Sequence, residues 1–118
     1  MKIYEIVNAK EVLEEISNNK NLPTREAYKL YLMLSNINDV FLFFESKRRE
    51  AIKELGREEN GTIIVDEENQ EEFLQILNKI GNLDCEKEIA KVDISLNVNL
   101  NISPAEIAKL EPFINFVD

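Results

Sequence analysis

Carboxylates are the only chemically versatile side chains this sequence carries in number: 23 Asp and Glu stand beside one cysteine, three glycines and no histidine. Two acids facing each other across a cleft can hydrolyse a glycosidic bond. The adjacent pairs Glu14-Glu15, Glu58-Glu59, Glu67-Glu68 and Glu71-Glu72 are therefore the places to look. All four fall at expected helix starts, loops or solvent faces, where a carboxylate is a solvated charge. Without histidine there is no Ser-His or Cys-His nucleophile pair and no common zinc site. Gly56, Gly61 and Gly81 are too scattered to build a phosphate loop or a dinucleotide turn. Asp66-Glu67-Glu68-Asn69 lacks the alternating oxygen ligands and central glycine of a calcium loop. The inventory points to a protein that is not an enzyme and holds no cofactor or metal. Cys85, alone, can form no internal disulfide; it fits a reducing cytosol and reads as a buried structural thiol.

The formal net charge of −9 argues against direct contact with nucleic-acid phosphates or anionic membranes, since displacing counterions needs a basic surface. Residues 58–72 hold seven acids and no base. They are either a solubilising edge or a surface that imitates phosphates and docks a basic groove, with Glu58, Glu59, Glu67, Glu68 and Glu71 as its candidates. Lys47-Arg48-Arg49 is the only basic cluster, and on a helix three consecutive residues spread over about 200° and form no single patch. Pairing with acids such as Glu45 accounts for them. No apolar stretch approaches the ~18 residues of a membrane span, and no charged leader precedes an apolar run, so a cytoplasmic protein is expected.

The element that must position everything else is residues 25–57. It has no proline, and its one glycine, Gly56, is near the end, placed to stop a helix in the left-handed conformation. Ala27, Leu30, Leu34, Ile37, Phe41, Phe44, Ala51 and Leu55 follow alternating steps of three and four, interrupted only by Arg48, which is one helical face. Unbroken, such a helix runs roughly 50 Å, whereas a compact domain of this size has a radius of gyration near ~13 Å. Ser35–Asp39 are poor interior residues and could mark a break, but the apolar phase survives across them, which favours continuity. Tyr28, Leu32 and Phe43 fall on the side opposite the main face. They are covered either by other helices of the chain or by a partner or second copy.

Around that rod the remaining elements are short. Residues 2–7, rich in β-formers, predict a strand, and Asn8 predicts the cap of a helix over 9–17. Thr24 reads as the N-cap of the long helix. Asn60-Gly61 predicts a tight turn, 62–65 a strand, and Asp66 the cap of a helix over 67–80. Strict alternation from Val92 to Ile102 predicts one long strand. Ser103-Pro104-Ala105-Glu106 is a capping box with proline at the first helical position. The aromatic tail 113–117 is expected to dock on the core. The fold class is α+β in a single domain: a long helical hairpin, 25–57 against 67–80, beside a small, mainly antiparallel sheet of 2–7, 62–65 and 92–102, with a short C-terminal helix.

Three stretches together resemble a family. Leu22-Pro23-Thr24-Arg25-Glu26-Ala27-Tyr28 is similar to its long-helix start, Gly56 with Asn60-Gly61 and Glu67-Glu68-Asn69 to its acidic connector, and Ile102–Glu106 with Leu110–Ile114 to its ending. It is a domain-of-unknown-function family of small proteins from tailed phages and prophages of Gram-positive bacteria. The asparagine-rich segment 92–102 is longer than that pattern. The resemblance carries no catalytic residue. It implies a non-enzymatic phage-type protein acting by protein contact, as an assembly accessory or oligomeric adaptor that self-associates through the long helix. The alternative is an acidic inhibitor of a host defence or nucleic-acid-processing protein, an anti-CRISPR-like or DNA-mimic decoy.

Overall fold

The β-formers at the N-terminus fold as a helix. In the computed structural model, which describes residues 1–118, α1 spans Ile3–Ser17. Ile3, Ile6, Ala9, Val12, Leu13 and Ile16 form its buried side at steps of three and four. Seven residues are too few to separate a period of two from one of 3.6, and the apolar series continuing through Ile16 settles it. Asn8, expected as a cap, is an exposed residue inside α1. Of the expected strand only Lys2 makes a bridge, to Asp84, and the Ile3 N–H donates to the Leu83 carbonyl. The Lys2 ammonium, 2.9 Å away, holds the Asp84 carboxyl below its usual range.

The long helix is continuous. α2 runs Thr24–Leu55, 32 residues with no interruption at Ser35–Asp39. At 1.5 Å per residue it measures about 48 Å. The molecule extends 51 × 30 × 23 Å with a radius of gyration of 17.1 Å, so this one helix sets its length. Pro23, not Thr24, occupies the cap position, and no side chain caps the helix. Gly56 is also not left-handed: at φ −95° it is extended and opens β1 (Gly56–Glu59). Its lack of a side chain serves close packing, since a Cβ there would lie 2.4 Å from the Ile52 carbonyl oxygen.

β1 pairs antiparallel with β2 (Thr62–Val65). Asn60 (φ 52°) and Gly61 (φ 81°) make the expected tight turn, both left-handed as a two-residue hairpin turn requires. α3 (Glu67–Gly81) returns along α2. The Asn69 side chain donates to the Leu55 carbonyl at one end, Leu77 and Phe44 line one groove at the other, and α3 packs on α2, so the expected helical hairpin forms. Asp66 stands at the cap position but makes no capping hydrogen bond. Its carboxylate takes the Nε–H of Arg57 at 2.8 Å instead.

The alternating segment yields a strand of only four residues, β3 (Val92–Ser95). Its partner is the C-terminal tail, β4 (Ile114–Val117), in parallel. The expected three-stranded sheet is therefore replaced by two separate two-stranded sheets, one antiparallel and one parallel. Local hydrogen bonds end β3 early. The Ser95 hydroxyl accepts from the Asn97 N–H, the Ser95 carbonyl from Val98, and the Asn99 side chain from the Asn101 N–H, with Asn101 left-handed at φ 54°. Parallel strands need a long crossover, and residues 96–113 supply it around α4 (Pro104–Leu110), whose capping box forms as expected. Replacing Ser103 with alanine should lower unfolding free energy by about 1 kcal/mol in urea titration.

α1, the first half of α2, α4 and the parallel sheet share one core. It contains Ile6, Leu13, Leu30, Ile37, Ile94 and Phe113, all 0% exposed. Beyond Ile37, α2 buries only Ala51 fully, and α3 buries only Gly81. The second half of the rod, the β-hairpin and α3 thus form a thinly packed arm. No helix is long and apolar enough to cross a membrane.

Candidate interaction surface

The core side of α2 determines what its other side presents. With Leu30, Met33 and Ile37 turned inward, residues about half a turn away face solvent. Tyr28 is 60% exposed, Leu32 46% and Phe43 43%, so none of the three is enclosed by the chain's own helices. The structure adds two residues that the sequence reading missed, Tyr31 at 67% and Leu42 at 64%. All five fall within about 120° of the helix circumference. A helical wheel drawn from Tyr28 would have found them, because Tyr31 and Leu42 lie on the flank of the stripe furthest from Phe43. The Tyr28 and Tyr31 rings stack at 6.4 Å between centroids, and the Lys47 ammonium sits 5.9 Å over the Phe43 ring. Ser35 and Asp39, both exposed, interrupt the stripe at its middle.

One flank of the stripe is bounded by residues 83–92. There a groove of about 490 Å³ is lined by Leu32, Met33, Ile89 and Val92, and one of about 420 Å³ by Val40, Phe43, Leu83 and Cys85. Lys87 reaches across to pair with Asp39. Cys85, expected to be buried, is half-buried against the core edge, its thiol donating to the Lys87 carbonyl at 3.5 Å. Asp39 and Asp84 both line the second groove, but each is held by a lysine. Asp84 is held low, the opposite of the raised pKa that a general acid requires. No group of three or more His, Cys, Asp or Glu side chains is arranged to hold a metal ion.

The acidic candidates lie elsewhere, on the arm. Glu58 and Glu59 are on β1, and Glu67, Glu68 and Glu71 on α3, all exposed. Arg57 stands among them, 2.8 Å from both Glu59 and Asp66, and these two acids raise its pKa. Glu58, Glu67, Glu68 and Glu71 make no ion pair. Ile63 and Ile64 of β2 are 44% and 40% exposed beside them. The basic cluster is absorbed locally: Lys47 pairs with Glu50 and Arg48 with Glu45, whose carboxyl that guanidinium pulls down. The stripe and the acidic arm are therefore two surfaces, not one.

A third apolar surface went unread in the sequence. Leu96, Val98, Leu100, Ile102, Ile107 and Phe116 line an uncharged groove of about 620 Å³ beside the parallel sheet. Val98, Leu100 and Ile102 pack by their inner sides against the core, as one face of an alternating segment would, and of that segment's apolar residues only Leu96 is exposed. Comparison with protein-family models, curated proteins and solved structures finds no match to this chain.

Proposed function

We propose that the protein works by contact rather than catalysis, as an assembly accessory or oligomeric adaptor of the phage or prophage kind in the host cytoplasm, and that the outer side of α2 is its working surface. One observation carries the reading. Tyr28, Tyr31 and Leu32, and after the polar step of Ser35 and Asp39 also Leu42 and Phe43, are exposed along one side of a helix whose opposite side is core. Monomeric proteins rarely leave contiguous apolar surface of several hundred Å² uncovered, and interface centres are enriched in aromatic side chains. The residues of the stripe are not needed to close the chain's own core, so their exposure has no folding benefit.

The second reading is an acidic decoy for a host defence or nucleic-acid-processing protein. It is favoured by Glu58, Glu67, Glu68 and Glu71, exposed and unpaired on an arm that packs little core of its own.

Affinity capture on the full-length chain from a Gram-positive host lysate, at low and high salt, together with light scattering, separates the two. The double variant Leu32→Glu/Phe43→Glu should lose captured partners and self-association while keeping the wild-type circular dichroism. Charge reversal at Glu67, Glu68 and Glu71 should leave the captured partners in place. If only the charge reversal has an effect, and salt reproduces it, the decoy reading replaces this one.

A further inference from the structure

We propose that the stripe of α2 is covered by a second copy of this chain lying antiparallel to the first, about a two-fold axis near Ser35 and Asn36, so that Tyr28 of each copy packs on Phe43 of the other. The inference rests on the contact reading above and adds to it the occupant and its direction.

The stripe itself sets the direction. Its apolar residues gather at two ends, Tyr28 with Tyr31 and Leu32, then Leu42 with Phe43, and exposed Ser35 and Asp39 lie between. A parallel neighbour in register would set Arg25, which has no ion-pair partner, against its own copy, and like charges placed opposite each other are costly. An antiparallel neighbour that sets residue 28 against residue 43 also sets 35 against 36. Ser35 then meets Asn36 at the centre, Tyr28 meets Phe43 at both ends, and Asp39 lies opposite Leu32. Asp39 then lies within one helical turn of the second copy's Lys29, which has no ion-pair partner in its own chain.

The ends of the molecule are complementary in the same sense. Near the start of α2, Lys20, Arg25 and Lys29 make no ion pair. The arm beyond its other end carries the seven acids of residues 58–72. In the antiparallel register each arm lies at the end of the pair where the other copy's α2 begins, about eight residues or 12 Å beyond its Thr24, so these opposite charges attract at long range and not by contact. The area is adequate as well. Five partly exposed side chains of this size present roughly 500 Å² per copy, and with the polar rim of Ser35, Asp39 and Ser46 the pair approaches the ~1,200 Å² at which specific interfaces begin.

The test is disulfide trapping in a Cys85→Ser background, with sedimentation of the unmodified chain alongside. Tyr28→Cys and Phe43→Cys proteins, oxidised separately, should stay monomeric on non-reducing gels, because in this arrangement like positions lie about 20 Å apart along the helix. Mixed, they should give a covalent dimer, and the wild-type chain should sediment as a dimer that added salt weakens. Cross-linking of each variant with itself would mean a parallel pair and overturn the proposal. A wild-type chain that stays monomeric at several hundred micromolar overturns it without any variant. If that monomer still captures a partner that Leu32→Glu/Phe43→Glu loses, the contact reading stands and only the second copy is rejected.

Discussion

Replacing Phe113 with alanine is expected to lower the unfolding free energy by about 3–5 kcal/mol, the range for deleting a fully buried aromatic side chain. Phe113 is 0% exposed and is the hinge between α4 and β4. Its N–H donates to the Leu110 carbonyl and its own carbonyl accepts from Val92, both at 2.9 Å. The ring thus anchors the core to the parallel sheet through one residue. Removing it leaves a cavity in the buried core that α1, α2, α4 and the parallel sheet share. Loosening β4 then deprives β3 of its only sheet partner. The measurement is urea or thermal unfolding by circular dichroism, with a Tm fall of more than about 10 °C. A loss under about 1 kcal/mol would mean that the C-terminal tail is an appendage and not part of the core.

Gly56→Ala is expected to destabilise by about 1–3 kcal/mol, as overpacking does, with the damage confined to the arm. The new Cβ would meet the Ile52 carbonyl oxygen at 2.4 Å and Ile63 Cγ2 at 2.6 Å. The first of these is helix backbone and cannot rotate away, so the end of α2 or the whole hairpin must shift. Amide exchange should quicken across residues 56–81 and stay unchanged in α1 and in the first half of α2. Gly61 provides the contrast. It is left-handed at φ 81° with open space around it, so Gly61→Asn should be nearly neutral. Equal sensitivity at both glycines would show that backbone conformation, and not close packing, decides position 56.

The two substitutions bear on different ends of a molecule whose long helix is common to both. That division has a functional side. The core end holds the part of α2 that carries Tyr28, Tyr31 and Leu32, while Leu42 and Phe43 lie where the arm begins. The arm, with almost nothing buried, contributes charge and exposed isoleucines more than stability.

What was legible in the amino-acid order was whatever depends on neighbours a few residues apart. The continuity of α2, the Asn60-Gly61 turn, the 62–65 strand, the α3 helix and the Ser103 capping box all follow from local spacing and backbone chemistry. So does the α+β class, and so does the placement of Tyr28, Leu32 and Phe43 opposite the apolar face. Where the reading failed, a choice between two locally acceptable states was made by distant residues. Ile3–Val7 can form a strand or a helix, and burial of Ile3 and Ile6 against the rest of the core selects the helix. Val92–Ile102 alternates throughout, yet only its first four residues find a partner, because the tail from Ile114 pairs there and the asparagines beyond turn the chain by bonding to their own backbone. Pairing is a property of two segments, so neither segment reveals it alone. Exposure is the same kind of quantity: a helical wheel puts Tyr31 and Leu42 on the side of Tyr28, but only the placement of α1, α3 and residues 83–92 on the other sides of α2 leaves that side in solvent.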